Sequence, residues 1–184
     1  SVDEEGFRAC VDESRKRSRE DRLAKGGSSW DEDAMSNLDL PKTKFTGYDY
    51  SQLEINAKVL AVFKDGAEVT ELNEGDDAVV ILDETPFYAE SGGQVGDTGV
   101  ITIGESRFAV TDTKKTAKGQ YLHFGTVEMG GLGKGDSVTA SVNVEKRYAI
   151  MRNHTAAHLL QAALRRVLGD HVHQAGSYVD AERC

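Results

Sequence analysis

The stretch LEINAKVLAVFKDGAEVTEL, Leu53–Leu72, carries the period-two alternation of a strand and is broken once, at Asp65-Gly66. Both residues of an Asp-Gly pair tolerate the positive φ that a two-residue hairpin turn demands, and such turns match the twist of antiparallel strands. Because successive side chains point to opposite faces, only one register buries the apolar set. The same signals recur downstream. DDAVVILDET reads as a buried strand, TGVITIGESRFAVTDT as a hairpin turning near Gly104, and QYLHFGTV and DSVTASVNV as further strands separated by EMGGLGKGD. Six or seven short strands at this spacing predict a small closed antiparallel barrel over residues 44–145, closure being the way such a sheet removes unpaired edges.

The period then changes. From Arg147 to Leu168, apolar residues at Ile150, Ala157, Leu160, Leu164 and Leu168 fall at helical spacing, and Gly169 stops the helix. VHQAGSYVD opens a new strand without partners, so residues 146–184 read as the start of an α/β unit that is not complete. At the other end, residues 1–25 predict a charged helix supported by pairs such as Glu13 with Arg17, and residues 26–43 have linker chemistry. The expected fold class is α+β: an N-terminal helix, a small closed antiparallel barrel, then the first helix and strand of a truncated α/β domain. The opening SVDEEGFRAC and the ending YVDAERC both read as cuts within a longer chain.

Composition narrows the class. With 184 residues, 39% hydrophobic and 29% charged, the chain is long enough for a sizeable core. No apolar run approaches the roughly 20 residues of a membrane span, so no membrane partner is expected. Cys10 and Cys184 sit near opposite ends, which argues against a disulfide framework and for a reducing, cytoplasmic setting. A formal net charge of −9 argues against broad polyanion binding while leaving room for a local basic stripe.

Two segments carry chemistry. In RNHTAAHLLQAALRRVLGDH, His154 and His158 are one helical turn apart, which brings their side chains roughly 5–6 Å from each other and within reach of one metal ion. Thr155 stands where a zinc protease helix has its glutamate, and two histidines are short of the three or four protein ligands that zinc takes. Metal binding and a pair of core or capping histidines both remain open. The second segment is ETPFYAESGGQVGDTG, where Thr85, Glu90, Ser91, Gln94 and Asp97 are hydrogen-bonding groups among glycines at a barrel mouth. A long β-loop needing turn residues is the plainer reading. His123, His171 and His173 read as core or surface histidines. Lys146, Arg147, Arg152, Arg165 and Arg166 read as a solvated helix face, with phosphate contact the alternative.

Taken in order, FTGYD at Phe45–Asp49, ILDETPFYAESGGQVGDTG at Ile81–Gly99 and RNHTAAHLLQAALRRVLGDHVHQAGSYV at Arg152–Val179 resemble the alanyl-tRNA synthetase family. The resemblance covers nearly the whole chain. It implies the end of a tRNA-recognition region followed by a glycine-rich barrel and the first part of an editing domain. By that resemblance His154 and His158 bind zinc, the other two ligands coming from a CxxxH segment that this chain lacks. The family attaches alanine to tRNA(Ala) with ATP, used outside this segment, and hydrolyses Ser-tRNA(Ala) and Gly-tRNA(Ala). Thr85 and Gln94 are the candidates for discriminating serine from alanine, since a polar group left unpaired by alanine biases the site toward serine. The competing readings are a non-catalytic module that binds tRNA or positions domains, and a freestanding trans-editing protein. Weak zinc retention and self-association through an exposed apolar face are also expected.

Overall fold

The computed structural model describes Gly6 and Asp39–Cys184. The predicted helix over 1–25, apart from Gly6, which is helical, and the first part of the linker therefore lie outside the described residues. The remainder belongs to one unit, Glu32–Cys184.

Asp65 (φ 51°) and Gly66 (φ 80°) make the expected two-residue turn between β2, Glu54–Lys64, and β3, Ala67–Val69, with Lys64 opposite Ala67. β4, Glu71–Asn73, is followed by β5, Asp77–Leu82, in which every residue after the first is buried. β7, Gly99–Ile103, and β8, Ser106–Lys115, form the hairpin that turns at Gly104. β9, Tyr121–Met129, β10, Gly131–Gly133, and β11, Ser137–Val142, complete the series. The order β11-β7-β8-β9-β5-β2 is antiparallel throughout, and β11 pairs again with β2, which closes the sheet into a six-stranded barrel. The closed antiparallel barrel is thus as expected, with β3 and the β4–β10 ribbon as additions.

Val59, Val62, Leu72, Val80, Ile101 and Phe108 belong to the central cluster, each almost wholly buried. At about 1.5–3 kcal/mol for each large side chain removed from water, this cluster holds the barrel shut. A short parallel pair lies beside it: β1, Lys44–Phe45, against β6, Glu84–Thr85. β6 leads directly into the glycine-rich segment.

β11 runs into α1, Val144–Leu168. Asn143 caps the helix: its side chain accepts from the Lys146 amide at 3.0 Å, satisfying one of the free N–H groups of the first turn. Gly169 ends it, as anticipated. VHQAGSYVD, by contrast, is not a strand. Val179 alone makes a parallel bridge, to Gln94, with Val95 N–H donating to Val179 O at 3.0 Å and Val179 N–H to Gly93 O at 2.8 Å. A strand needs a ladder, and a bent glycine loop offers only one rung. Among the described residues no helix is long and apolar enough to cross a membrane.

Candidate functional site

The site is assembled around one buried guanidinium. Arg147 lies one turn into α1 and is only 4% exposed, which corrects its reading as part of a solvated basic face. Its Nε donates to Asp97 Oδ2 at 2.7 Å, its Nη2 to the same oxygen and to Pro86 O at 2.8 Å, and its Nη1 to Gly47 O at 3.0 Å. Asp97 is itself 1% exposed and its Oδ2 also accepts from the Tyr88 amide at 2.7 Å. Two buried charges of opposite sign survive only when paired and fully hydrogen-bonded, and here the planar fork of arginine reaches three separate chain segments at once. The reason for its burial is register: Arg147, Ile150 and His154 fall on one helical stripe, and Ile150 is fully buried. Lys146, Arg152, Arg165 and Arg166 stay nearer the surface.

The same stripe carries His154 to the glycine-rich segment. His154 Nδ1 lies 2.5 Å from Gln94 Oε1. An amide oxygen only accepts, so in the neutral ring Nδ1 holds the proton and Nε2 keeps its lone pair. The His154 and His158 rings stack with centroids 4.9 Å apart and planes 24° apart. Gln94 is 6% exposed, half-buried His154 lies beside it, and His158 is exposed. The helix is further held by Asn153, whose Nδ2 donates to Asp180 O at 2.9 Å. Gly93 has φ +83°, and a Cβ there would collide with the Ser177 carbonyl, so only glycine lets the loop approach the C-terminal segment. Next to this contact a groove of about 380 Å³ runs between Ala157, Leu160, Gln161 and Leu164 of α1 and Tyr178 and Cys184.

Of the polar residues expected at the barrel mouth, the structure joins Gln94 to the histidines and places the others elsewhere. Glu90 and Ser91 are exposed, and Asp97 serves Arg147. Thr85 is fully buried, with its hydrogen bonds to His123 and Phe87. His123 pairs with Val80 across β5 and β9, so its ring points into the barrel, and Nδ1 lies 2.9 Å from Val80 O. A carbonyl accepts only, so Nδ1 carries the proton and Nε2 accepts the Thr85 hydroxyl at 2.7 Å. Burial pulls the His123 ring down to about 4, the Val80 carbonyl opposing that shift only in part. His171 and His173 are exposed.

For a metal, the chemistry of the donor set is the test. His154 offers Nε2, its other nitrogen fixed by Gln94 in the manner of an outer-shell partner, and His158 stands beside it. Two imidazoles fit zinc as half of a ligand set. Among the described residues no group of three His, Cys, Asp or Glu side chains could hold a metal ion.

Residues 1–146 match the family described as tRNA synthetases class II (A). The chain is 51% identical to the alanine–tRNA ligase of Acetivibrio thermocellus, covering 99% of this chain and 21% of that protein. It is 47% identical to the alanine–tRNA ligase of a Thermoanaerobacter species, and 50% identical to that of Neisseria meningitidis, in each case over 20% of the relative's length. The chain belongs to the class II (A) tRNA synthetase family and, within it, to the alanyl-tRNA synthetases. It spans about a fifth of the length of the curated relatives it matches. The resemblance drawn from the motifs therefore holds, and the family match ends at Lys146, before the paired histidines.

The buried groups make two expectations measurable. Replacing Arg147 with Met strands the Asp97 carboxylate and is expected to lower stability by about 3–5 kcal/mol. The double variant Arg147→Met, Asp97→Leu should recover much of that loss in chemical denaturation; equal losses in single and double variants would mean the pair is not coupled. His123 binds its proton less readily folded than unfolded, so stability is full above the unfolded value near 6.5 and falls as pH drops toward about 4. The loss over that window is at most about 3 kcal/mol. In His123→Gln the slope of stability against pH between 6.5 and 4 should be shallower by one proton.

Proposed function

We propose that this chain is part of the hydrolytic proofreading region of an alanine–tRNA ligase, acting on tRNA(Ala) that carries serine or glycine. The observation that carries this reading is the hydrogen bond between Gln94 and His154, which joins the glycine-rich loop to the paired imidazoles. Hydrolysis adds water oxygen to the ester carbonyl carbon and breaks the bond from that carbon to the ribose oxygen. The amino acid leaves as the free acid and the ribose hydroxyl regains a proton.

In this reading Gln94 uses Oε1 to orient His154 and keeps its amide NH₂ to donate to the substrate. A serine hydroxyl satisfies this polar group and alanine leaves it unpaired, so the contact separates serine from alanine; glycine, which also lacks a hydroxyl, gains nothing from it. Thr85 acts on that contact indirectly: fully buried, with its hydroxyl held by His123 and the Phe87 amide, it fixes the start of the loop that carries Gln94. Gly92, at positive φ with open space where a Cβ would stand, keeps the loop backbone accessible to a ribose or carbonyl oxygen. Zinc is the implied cofactor, with His154 and His158 as two of its ligands, and when bound it supplies a Lewis acid for a carbonyl or a bound water. The remaining ligands would come from beyond Cys184. Alanine activation with ATP, and a cytoplasmic setting, belong to the whole ligase in the same proposal. The exposed Leu159, Leu160, Val167 and Leu168 are the surface through which copies of this chain would associate.

In a full-length ligase carrying this segment, His154→Ala and His158→Ala are each expected to cut the rate of Ser-tRNA(Ala) clearance by at least a hundredfold while alanine activation is unchanged. Undiminished clearance in both variants would end the proposal. This chain alone should hold well under one zinc per molecule by elemental analysis.

A further inference from the structure

A second surface lies on the barrel next to β6. The segment KTKFTGY, residues 42–48, and the segment TKKTAKGQY, residues 113–121, contain two and three lysines respectively and no acidic residue, in a chain of net charge −9. They lie side by side: Thr43 N–H donates to Gly119 O at 3.2 Å, and Tyr121 N–H to Thr43 Oγ1 at 3.2 Å. The Lys42 stem packs over Gly119, whose φ of +94° and lack of a Cβ make room for it. Lys42, Lys44, Lys115 and Lys118 are carried by these two adjoining segments, while Lys114 alternates to the other face of β8, over the Phe124 ring. Glu84 pairs with Lys44 at 3.0 Å.

Aromatic rings occupy the middle of this basic surface. Phe45 stacks on Tyr121 with centroids 5.5 Å apart and planes 6° apart, and Tyr48 and Tyr88 meet Phe45 edge-on at 4.9 Å and 6.2 Å. Lys115 Nζ lies 5.2 Å from the centre of the Tyr121 ring. Burial, and then the neighbouring Tyr48 and Tyr88 phenols, push the Tyr121 hydroxyl up from its ordinary value. Tyr48 itself is 77% exposed, an aromatic supported edge-on by Phe45 and otherwise open to water. A large ring held this way costs apolar hydration unless something covers it.

We propose that this surface binds a single-stranded RNA end, with a base stacked on Tyr48 and the lysines neutralising the adjoining phosphates. Rings on which any base can stack, set within a cationic track, are the chemistry of sequence-tolerant single-strand binding. Charge complementarity supports this occupant, since the two adjoining segments carry lysines and no acidic residue in a chain of net charge −9. Position supports the same occupant: Phe45 pairs with Thr85 in the parallel β1–β6 register, and Tyr88 is on the loop that carries Gln94. A strand lying on Tyr48 and Tyr88 is therefore on the segment that leads to the paired imidazoles. The inference deepens the proofreading reading and rests on it for the identity of the strand, an unpaired tRNA end.

The test uses this 184-residue chain, uncharged RNA and fluorescence anisotropy, with no hydrolysis involved. A labelled twelve-nucleotide single strand should bind at least tenfold tighter than a blunt duplex of the same sequence. Tyr48→Ala should weaken single-strand binding about tenfold with circular dichroism unchanged. Lys115→Ala with Lys118→Ala should flatten the slope of log affinity against log salt by about 1.4, at roughly 0.7 for each phosphate no longer neutralised. RNA binding should persist in His154→Ala, which separates this inference from the fate of ester cleavage. Equal affinity in wild type and Tyr48→Ala, or displacement of the RNA by an acidic peptide of equal charge at equal concentration, would overturn it. Absence of RNA binding by the wild type at low salt would overturn it as well.

Discussion

Removing Arg147 and Asp97 from water is the most demanding thing this fold does. Each charge would cost several kcal/mol to bury alone. The cost is met because every strong contact is made at once, to Asp97, to the Gly47 and Pro86 carbonyls, and from the Tyr88 amide. The consequence is geometric. Residues from three distant parts of the chain must be in place together, or a charge is stranded. That ties the start of α1 to the glycine-rich loop, and two turns along the same helical stripe His154 meets Gln94. The contact between loop and histidine is therefore downstream of the ion pair.

The barrel supplies the other half of the positioning. Thr85 ends the short β6 strand, and its hydroxyl is bound by His123 from inside the barrel, with the Phe87 ring set edge-on to the imidazole at 5.2 Å. Keeping His123 neutral is what lets it accept that hydroxyl. The loop is thus anchored twice before it reaches α1, once by a neutral pair at Thr85 and once by a charged pair at Asp97. Between these anchors and the Val179 bridge the backbone at Gly93 has little freedom to move.

Much of this was legible in the residues. Period two with Asp65-Gly66 and Gly104 at the turns announces hairpins, and closure follows from the number of strands. The spacing of His154 and His158 announces a shared helix face, and the rings do stack. What pattern reading missed was Arg147. Its partner is fifty residues away, and charge on a helix ordinarily means solvent. The signal was present in phase: Arg147 sits on the stripe of Ile150 and His154, where an arginine must be buried with a partner. His123 was likewise ambiguous until its register opposite Val80 fixed the face. VHQAGSYVD has the composition of a strand, yet composition says nothing about whether a partner strand exists, and here only Gln94 answers. Pattern also cannot tell that Thr85 is sealed within the barrel while Gln94, on the same loop, faces the helix.

The central claim is that Gln94 fixes the state of His154 and so aims its free nitrogen. Imidazole ¹⁵N and ¹³C chemical shifts of labelled His154, recorded above pH 8, test it most directly. The Nδ1–H tautomer is expected in the wild type, with a return toward the ordinary Nε2–H mixture in Gln94→Ala and His123 unchanged. A wild-type His154 already in the Nε2–H form, or one indifferent to the loss of Gln94, would contradict it.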